Sequence, residues 1–405
     1  MSALFPFRAL RPDPAVAPRV ASVPYDVVNT EEARGFAAGN PLSFLHVTRS
    51  EIDLPAGTNP YDASVYDQAV ANFEEIKRSA PMVIDSEPSL YVYRLRMGTH
   101  EQTGLAGCFS VDEYEAGLVK KHEKTRRDKE DDRTRHITEL RAQTGLVFLT
   151  YRAAPTVNAI VGRVCEGDPI YDFVAPDEVS HTVWQVTGGD CDALVTAFAQ
   201  LDALYIADGH HRAASAARAR QSIAAGGGRA ADATQFVAVA FPDDQMQILP
   251  YNRVVKDLAG QSAAEFLEAL RAVAEVRDGG PVPAGHGQVS MYLSGKWYAV
   301  KLPKPAAGVS RADALDVEVL QQRVLEPLLK VGDPRSDKRI DFVGGIRGSQ
   351  ELERLVDSGA AAVAFAMHPV SVADLMSIAD AGGIMPPKST WFEPKLRDGL
   401  IVHLI

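Results

Sequence analysis

The chain has 405 residues, 46% hydrophobic and 23% charged, with a formal net charge of −11. That is enough for roughly two or three globular domains, and the acidic balance excludes an extended nucleic-acid surface, leaving only local basic patches. Cys108, Cys165 and Cys191 are widely spaced, form no zinc pattern or even disulfide framework, and read as free thiols in a reducing cytoplasm. Pro6 and Arg8 interrupt the N-terminus before a signal-peptide core forms, and no apolar run reaches membrane-spanning length. A cytoplasmic protein without a membrane partner is expected, and a homo-oligomer is left open.

The opening third mixes short strands and turns. Val20-Ala-Ser-Val-Pro-Tyr-Asp-Val28 reads as a strand interrupted by proline, followed at Asn29-Thr-Glu-Glu-Ala33 by a capped helix start. Leu90–Arg96 alternates like a strand and Thr103–Ser110 reads as its hairpin partner, which predicts an antiparallel first sheet. A dense charge run then spans 120–141 and contains His122 and Glu123. Such a run is usually a solvated helix, with Glu123 pairing with Lys120 or Arg127, but one that leads into the buried strand pattern 145–150 can also line a cleft floor.

Residues from about 180 to 255 read as one α/β unit. Its centre is Leu204-Tyr-Ile-Ala-Asp208-Gly-His-His-Arg212, where a short buried strand meets an alanine-rich helix running to Arg220. The spacing puts Asp208, Gly209, His210 and His211 in the turn. Gly209 lets backbone approach a ligand, the helix start offers unpaired N–H groups and a positive dipole end to phosphate, and Arg212 adds a bidentate cation. Asp208 would repel bare phosphate, which suggests an intervening metal ion or a hydrogen bond to an imidazole or hydroxyl; the plain alternative is an Asp-Gly turn with a capping aspartate. The stretch 224–229 reads as a flexible linker, and Leu249–Lys256 as an extended edge carrying Arg253.

Beyond about 260 come an amphipathic helix, a Gly/Pro loop at 279–285 and two strands around Met291 and Trp297. Cys108, Trp297 and Met367 read as core residues, and His46 as either a cleft or a core histidine. The segment Gly383-Ile-Met-Pro-Pro-Lys-Ser-Thr390 places Lys388, Ser389 and Thr390 on a loop stiffened by Pro386 and Pro387. It suits oxyanions but lacks the glycine-rich lead of a P-loop.

Three motifs taken together, His122-Glu123, Ala207-Asp-Gly-His-His-Arg212 and Pro387-Lys-Ser-Thr390, resemble in the same order those of free serine kinases of the SerK type. Val23-Pro-Tyr-Asp-Val-Val28, Leu249-Pro-Tyr-Asn-Arg253 and the charge run also resemble a widespread bacterial family long catalogued as of unknown function. That wider resemblance spans nearly the whole chain. It implies an α+β fold with a ParB/sulfiredoxin-like mixed-sheet core and additional α/β lobes, arranged as residues 1–115, a catalytic core at 116–258 and a C-terminal lobe at 259–405. It assigns the catalytic base to Glu123, beside His122. Asp208, Gly209, His210, His211 and Arg212 fall at the phosphoryl donor, and Lys388, Ser389 and Thr390 at phosphate and substrate. Ser389 stands where the short kinases have threonine, and Trp391-Phe392 replaces an Arg-His pair.

The chemistry is coherent with that resemblance. Phosphoryl transfer needs a positioned hydroxyl, a carboxylate to receive its proton and cations on the transferred group. Magnesium, with Asp208 as its candidate ligand, would bridge the phosphates of ATP, ADP or pyrophosphate, and the acceptor would be L-serine or a similar hydroxylated metabolite. Tyr25, Asp26 and Arg253 are candidate substrate contacts. A competing reading is a ParB-like nucleotide-binding switch without kinase activity; the acidic charge and the lack of a discernible helix-turn-helix oppose it. A sulfiredoxin-like thiol phosphotransferase is opposed by the histidines where a cysteine would be needed.

Overall fold

Gly98, at φ +58°, supplies the turn that reverses Leu90–Met97 into His100–Ser110, and the pair runs in antiparallel register from Tyr91 opposite Ala106 to Met97 opposite His100. The computed structural model describes residues 4–225 and 231–405. Among the described residues this hairpin belongs to a nine-stranded sheet. Its order is Val119–Lys120, Leu204–Asp208, Val147–Tyr151, Gln235–Pro242, His100–Ser110, Leu90–Met97, Ser180–Val186, Tyr171–Val174, with Leu4–Phe5 paired separately to His100–Ser110. The first sheet is mixed as a whole. Val147–Tyr151 runs parallel to Gln235–Pro242 and antiparallel to Leu204–Asp208.

Helices Pro155–Val164, Gly188–Phe198 and His210–Ala225 contribute Val157, Leu194, Phe198 and the alanines 213, 214, 216 and 217 to the sheet's main core. The alanines do more than favour helix. Their short side chains let the His210–Ala225 helix lie close to both the sheet and the Arg127–Leu140 helix, where Ser215 Oγ donates to the Glu130 carbonyl at 3.2 Å. A second core joins Phe44, together with Phe73 and Ile76 of the Ala63–Ser79 helix, to Leu140 and Val402.

Gly107 lies where this sheet is tightest. A β-carbon there would stand 2.6 Å from Leu4 Cδ1 and 2.8 Å from Leu90 Cδ2. Gly107→Ala is therefore expected to cost about 1–3 kcal/mol by overpacking, measured as a shifted urea midpoint at unchanged slope. An unshifted midpoint would contradict this packing.

A second sheet, fully antiparallel, has the order Glu275–Asp278, Lys296–Lys301, Gln288–Leu293, Val363–Ala366, Tyr251–Val255, Ile340–Gly344. Leu352 of the Gly348–Asp357 helix packs on it, and Trp297, only partly buried, donates from Nε1 to Glu353 at 2.7 Å. The fold is thus α+β, a large mixed sheet with an additional antiparallel one. This additional sheet is antiparallel where an α/β lobe was expected: each strand opposes its neighbours in the sheet, although only Gln288–Leu293 and Lys296–Lys301 are joined by a direct reversal.

Contacts divide the chain into two units: Met1–Lys121, Thr125–Met246 and Pro394–Ile405 form unit 1, and His122–Lys124 with Gln247–Glu393 form unit 2. This differs from three consecutive segments at 1–115, 116–258 and 259–405. Strand His100–Ser110 pairs with Gln235–Pro242, so the first two segments share one sheet. The expected unit at 180–255 divides at Met246, because Gln235–Pro242 belongs to the mixed sheet and Tyr251–Val255 to the antiparallel one.

Several local expectations are corrected. Residues 21–28 form no strand; Pro24 removes a donor, and Ser22 makes only an isolated bridge to Asp398. Leu249–Lys256 is no edge: Pro250 interrupts it, and Tyr251–Val255 is paired on both sides. Ala224 and Ala225 end a helix, while 226–230 of the expected linker lie outside the described residues. The Asn29 start is a full capping box with Glu32, and Cys108 and Met367 are core residues. His46 is half-buried and shares its Nδ1 proton with Asp53 at 2.9 Å, which raises its pKa. Among the described residues no helix is long and apolar enough to cross a membrane.

Candidate functional site

In unit 1 the strand Leu204–Asp208 delivers Asp208 to the chain reversal, Gly209 turns it at φ +91°, and His210 already begins the helix. The turn is thus shorter than the sequence suggested, and both histidines occupy the first helical turn. The Gly209 carbonyl accepts the first helical bond, from Ala213 at 3.0 Å. The N–H groups of the following residues point out of the helix start.

Asp208 stands among cations. Lys395 Nζ donates to its Oδ2 at 2.9 Å, the Gly209 N–H donates to Oδ1 at 2.8 Å, and Arg212 approaches Oδ1 at 3.8 Å. Burial opposes ionisation of Asp208, but Lys395, Arg212 and the Gly209 N–H outweigh it and hold the carboxyl well below the usual carboxylate range. Magnesium fits this donor set poorly. Both oxygens already accept N–H bonds beside two cations, and the chemistry proposed below does not depend on a metal at Asp208.

Arg212 is only 7% exposed. It donates to the Leu146 carbonyl and pairs with Asp26 at 3.3 Å, while its Nε has no hydrogen-bond partner among the described residues. Gly145 leaves room for it: a β-carbon there would press on Arg212 Cδ at 3.2 Å. Against Arg212 lies a cavity of about 30 Å³ lined by Tyr25, Arg133, His136 and Asp398, large enough for ordered water. Asp398 is 1% exposed, and neither of its carboxylate oxygens has a hydrogen-bond partner among the described residues. Burial pushes its pKa up to about 8; Arg212 and Arg133 lower it, and Asp26 adds to the rise.

The charge run is not merely solvated. Asp132, Thr134 and His136 of the Arg127–Leu140 helix are buried, His136 Nε2 meets the Val47 carbonyl at 3.0 Å, and burial holds that imidazole neutral, at about 3. Arg133 stacks on the Tyr25 ring, 4.2 Å from its centroid. His211 Nε2 accepts the backbone N–H of Arg126 at 2.9 Å, which places the proton of a neutral ring on Nδ1.

In unit 2, His122 is 2% exposed and its carbonyl accepts the Met385 N–H at 2.7 Å. Glu123 is half-buried in an irregular stretch ahead of the Arg127–Leu140 helix, so it is no helical surface glutamate. Lys388 takes left-handed backbone at φ +56°, with its ammonium 5.4 Å from the Tyr251 ring centroid. The Ser389 hydroxyl donates to the Pro386 carbonyl at 2.6 Å, leaving its lone pairs as the available function. Arg253 fastens this loop, donating to the carbonyls of Lys388 at 3.0 Å and Pro387 at 3.5 Å. Thr390 is half-buried between Ser389 and the Trp391–Glu393 strand.

Unit 1 therefore brings together Tyr25, Asp26, Asp208, Gly209, His210, His211 and Arg212, and unit 2 holds His122, Glu123, Arg253, Lys388, Ser389 and Thr390. Sequence reasoning passed over Lys395 and Asp398. They lie 187 and 186 residues from Asp208 and Arg212, and no local spacing ties them to that turn.

A family model described as "Protein of unknown function (DUF1015)" matches residues 4–319. The chain belongs to that family. This agrees with the catalogued family of unknown function that the motifs resemble. No curated protein matches the chain. Among solved structures, a conserved hypothetical protein from Pyrococcus furiosus is 15% identical, with 74% of this chain and 95% of that chain covered and a TM-score of 0.36. A free serine kinase in complex with AMP is 13% identical, with 72% and 91% covered and a TM-score of 0.37. SbnI with C-terminal truncation from Staphylococcus aureus is 11% identical, with 73% and 86% covered and a TM-score of 0.33. These are loose likenesses, and no residue role follows from them.

Proposed function

We propose that this DUF1015 protein is a small-molecule kinase that phosphorylates free L-serine to O-phospho-L-serine, with ATP, ADP or pyrophosphate as donor. The observation that carries the reading is the Asp208–Arg212 junction. A positive-φ glycine opens a 16-residue helix whose first turn carries two histidines and a buried arginine, with the Lys395 ammonium held alongside. Helix-start N–H groups and fixed cations of this kind suit the oxygens of a transferred phosphoryl group, and they are held in place before the reaction begins.

In this reading Asp208 positions Lys395 and Arg212, and the two cations meet the donor phosphates. Glu123 receives the proton of the acceptor hydroxyl as its oxygen attacks phosphorus; the bond from phosphorus to the donor's bridging oxygen breaks, and the donor leaves one phosphoryl group shorter. Lys388 and the lone pairs of Ser389 and Thr390 are the polar groups that the unit 2 loop offers to phosphate or substrate. Any magnesium present travels with the donor phosphates.

Phosphorus NMR tests this directly, on the full chain with magnesium, L-serine and each donor supplied separately, beside Glu123→Gln. A phosphoserine resonance is expected with at least one donor, reduced by about 10²-fold or more in the variant, as removal of a general base implies. Silence with all three donors and with other hydroxylated acceptors would overturn the kinase reading. Salt-sensitive DNA binding that responded to nucleotide would then favour the switch.

A further inference from the structure

Unit 2 contains a cavity of about 440 Å³, within the range of small-molecule sites. Arg253 lies in its lining and is only 4% exposed. Its bonds to the carbonyls of Tyr251, Pro387 and Lys388 use at most three of five N–H donors, and among the described residues no carboxylate pairs with it. Burial accordingly draws its pKa down to about 10. A buried guanidinium left without an anion is costly in a folded protein, and this one faces an open space.

The same lining holds the opposite charge. Glu318 favours the Arg253 cation electrostatically without touching it; its Oε1 accepts from Gln322 at 2.7 Å, and its other oxygen has no hydrogen-bond partner among the described residues. Gln321 Oε1 is buried and lacks a partner, while Nε2 of the same amide is fixed by the Val331 and Gly332 carbonyls at 2.9 and 3.0 Å. The amide cannot turn without losing both bonds, so its oxygen stays buried in a lining residue without a donor. Gln321 also opens a π-helical turn, Gln321–Leu325, a widening frequent at functional sites.

Around the cavity, three cations (Lys124, Arg253, Arg335) balance three anions (Glu318, Glu326, Asp333). Inorganic phosphate or a polyphosphate would meet Glu318 and gain little. A molecule carrying one negative and one positive group suits both charges.

We propose that this cavity binds the carboxylate and ammonium of a free α-amino acid, the carboxylate on Arg253 and the ammonium on Glu318 and the Gln321 side-chain oxygen. The cavity also includes Lys124 and Pro387, the chain neighbours of Glu123 and Lys388. The inference rests on the kinase reading for the fate of the bound amino acid, though not for its binding.

The test is calorimetry on the full chain with L-serine, with 3-hydroxypropionate, which lacks the ammonium, with ethanolamine, which lacks the carboxylate, and with inorganic phosphate. Serine is expected to bind, with each truncated analogue at least about tenfold weaker, since each leaves a charged group of the site unpaired. Glu318→Gln should weaken serine by about tenfold and leave 3-hydroxypropionate unchanged, a pattern that misfolding would not give. Gln321→Leu, which changes no formal charge, should weaken serine by a smaller factor. Equal binding of serine and both analogues, phosphate outcompeting serine, or no binding by any common amino acid would overturn the site. Serine binding without phosphoserine formation would overturn the kinase and leave the site standing. Phosphoserine formation with an unchanged KM for serine in Glu318→Gln would do the reverse.

Discussion

Arg212→Met is expected to lower the stability of the protein by about 3–5 kcal/mol, the usual cost of removing one partner from a buried charge cluster. Methionine fills most of the space yet leaves the Leu146 carbonyl without its donor and strips Asp26 of its cation. Asp208 keeps Lys395 and is less affected than Asp26. Arg212→Lys separates charge from shape. It keeps a cation but loses the planar fork that reaches Leu146 and Asp26 together, so it should recover only part of the loss. Urea denaturation of both variants provides the measurement. A loss below about 1 kcal/mol in Arg212→Met would mean that this guanidinium does not hold the corner together.

The second large effect concerns acidity. Folded Asp398 keeps its proton up to about pH 8, whereas an unfolded aspartate releases it near about 3.9. Between those values the folded state binds the additional proton, so this residue's contribution is fully present below pH ~4 and is lost as pH rises through about 8. Asp398→Asn removes that slope. The variant should gain on the parent protein by about 1.4 kcal/mol for each pH unit across the window, reaching several kcal/mol under alkaline conditions. Arg212, Arg133, Arg397 and Asp26 face this carboxyl, and each helps set where the gain saturates. Asp208 works in the opposite sense. Its folded pKa is depressed, so its contribution is present above the unfolded value and fades as pH falls. Urea midpoints measured from pH 5 to pH 9 should therefore diverge between parent and Asp398→Asn toward the alkaline end. Parallel curves would show that Asp398 is ionised throughout.

What could be seen from the sequence was what neighbouring residues decide among themselves. The hairpin at Gly98, the box at Asn29 and the strand into Asp208 each depend on a few adjacent residues, and each stands where its pattern put it. The interior position of Tyr251–Val255 was hidden because a strand with arginine near its centre resembles an exposed edge; only the carbonyls of Pro387 and Lys388 make burial of Arg253 tolerable. Glu318 and Gln321 sat in an unremarked helical stretch, and the π-helical turn that sets the Gln321 amide has no sequence signature. Lys395 and Asp398 were invisible for a different reason. Their importance comes from chain return over nearly half the sequence, which neither composition nor periodicity records.

That return also governs how the protein can be made. Residues 394–405 bridge back to Leu10 and Ser22 and pair at His403 with Gln143, while residues 247–393 belong to unit 2. A ribosome therefore releases the whole of that intervening stretch before Lys395 can reach Asp208 or Asp398 can settle against Arg212. The corner that handles charge in the finished protein is the last part of unit 1 that vectorial synthesis allows to close.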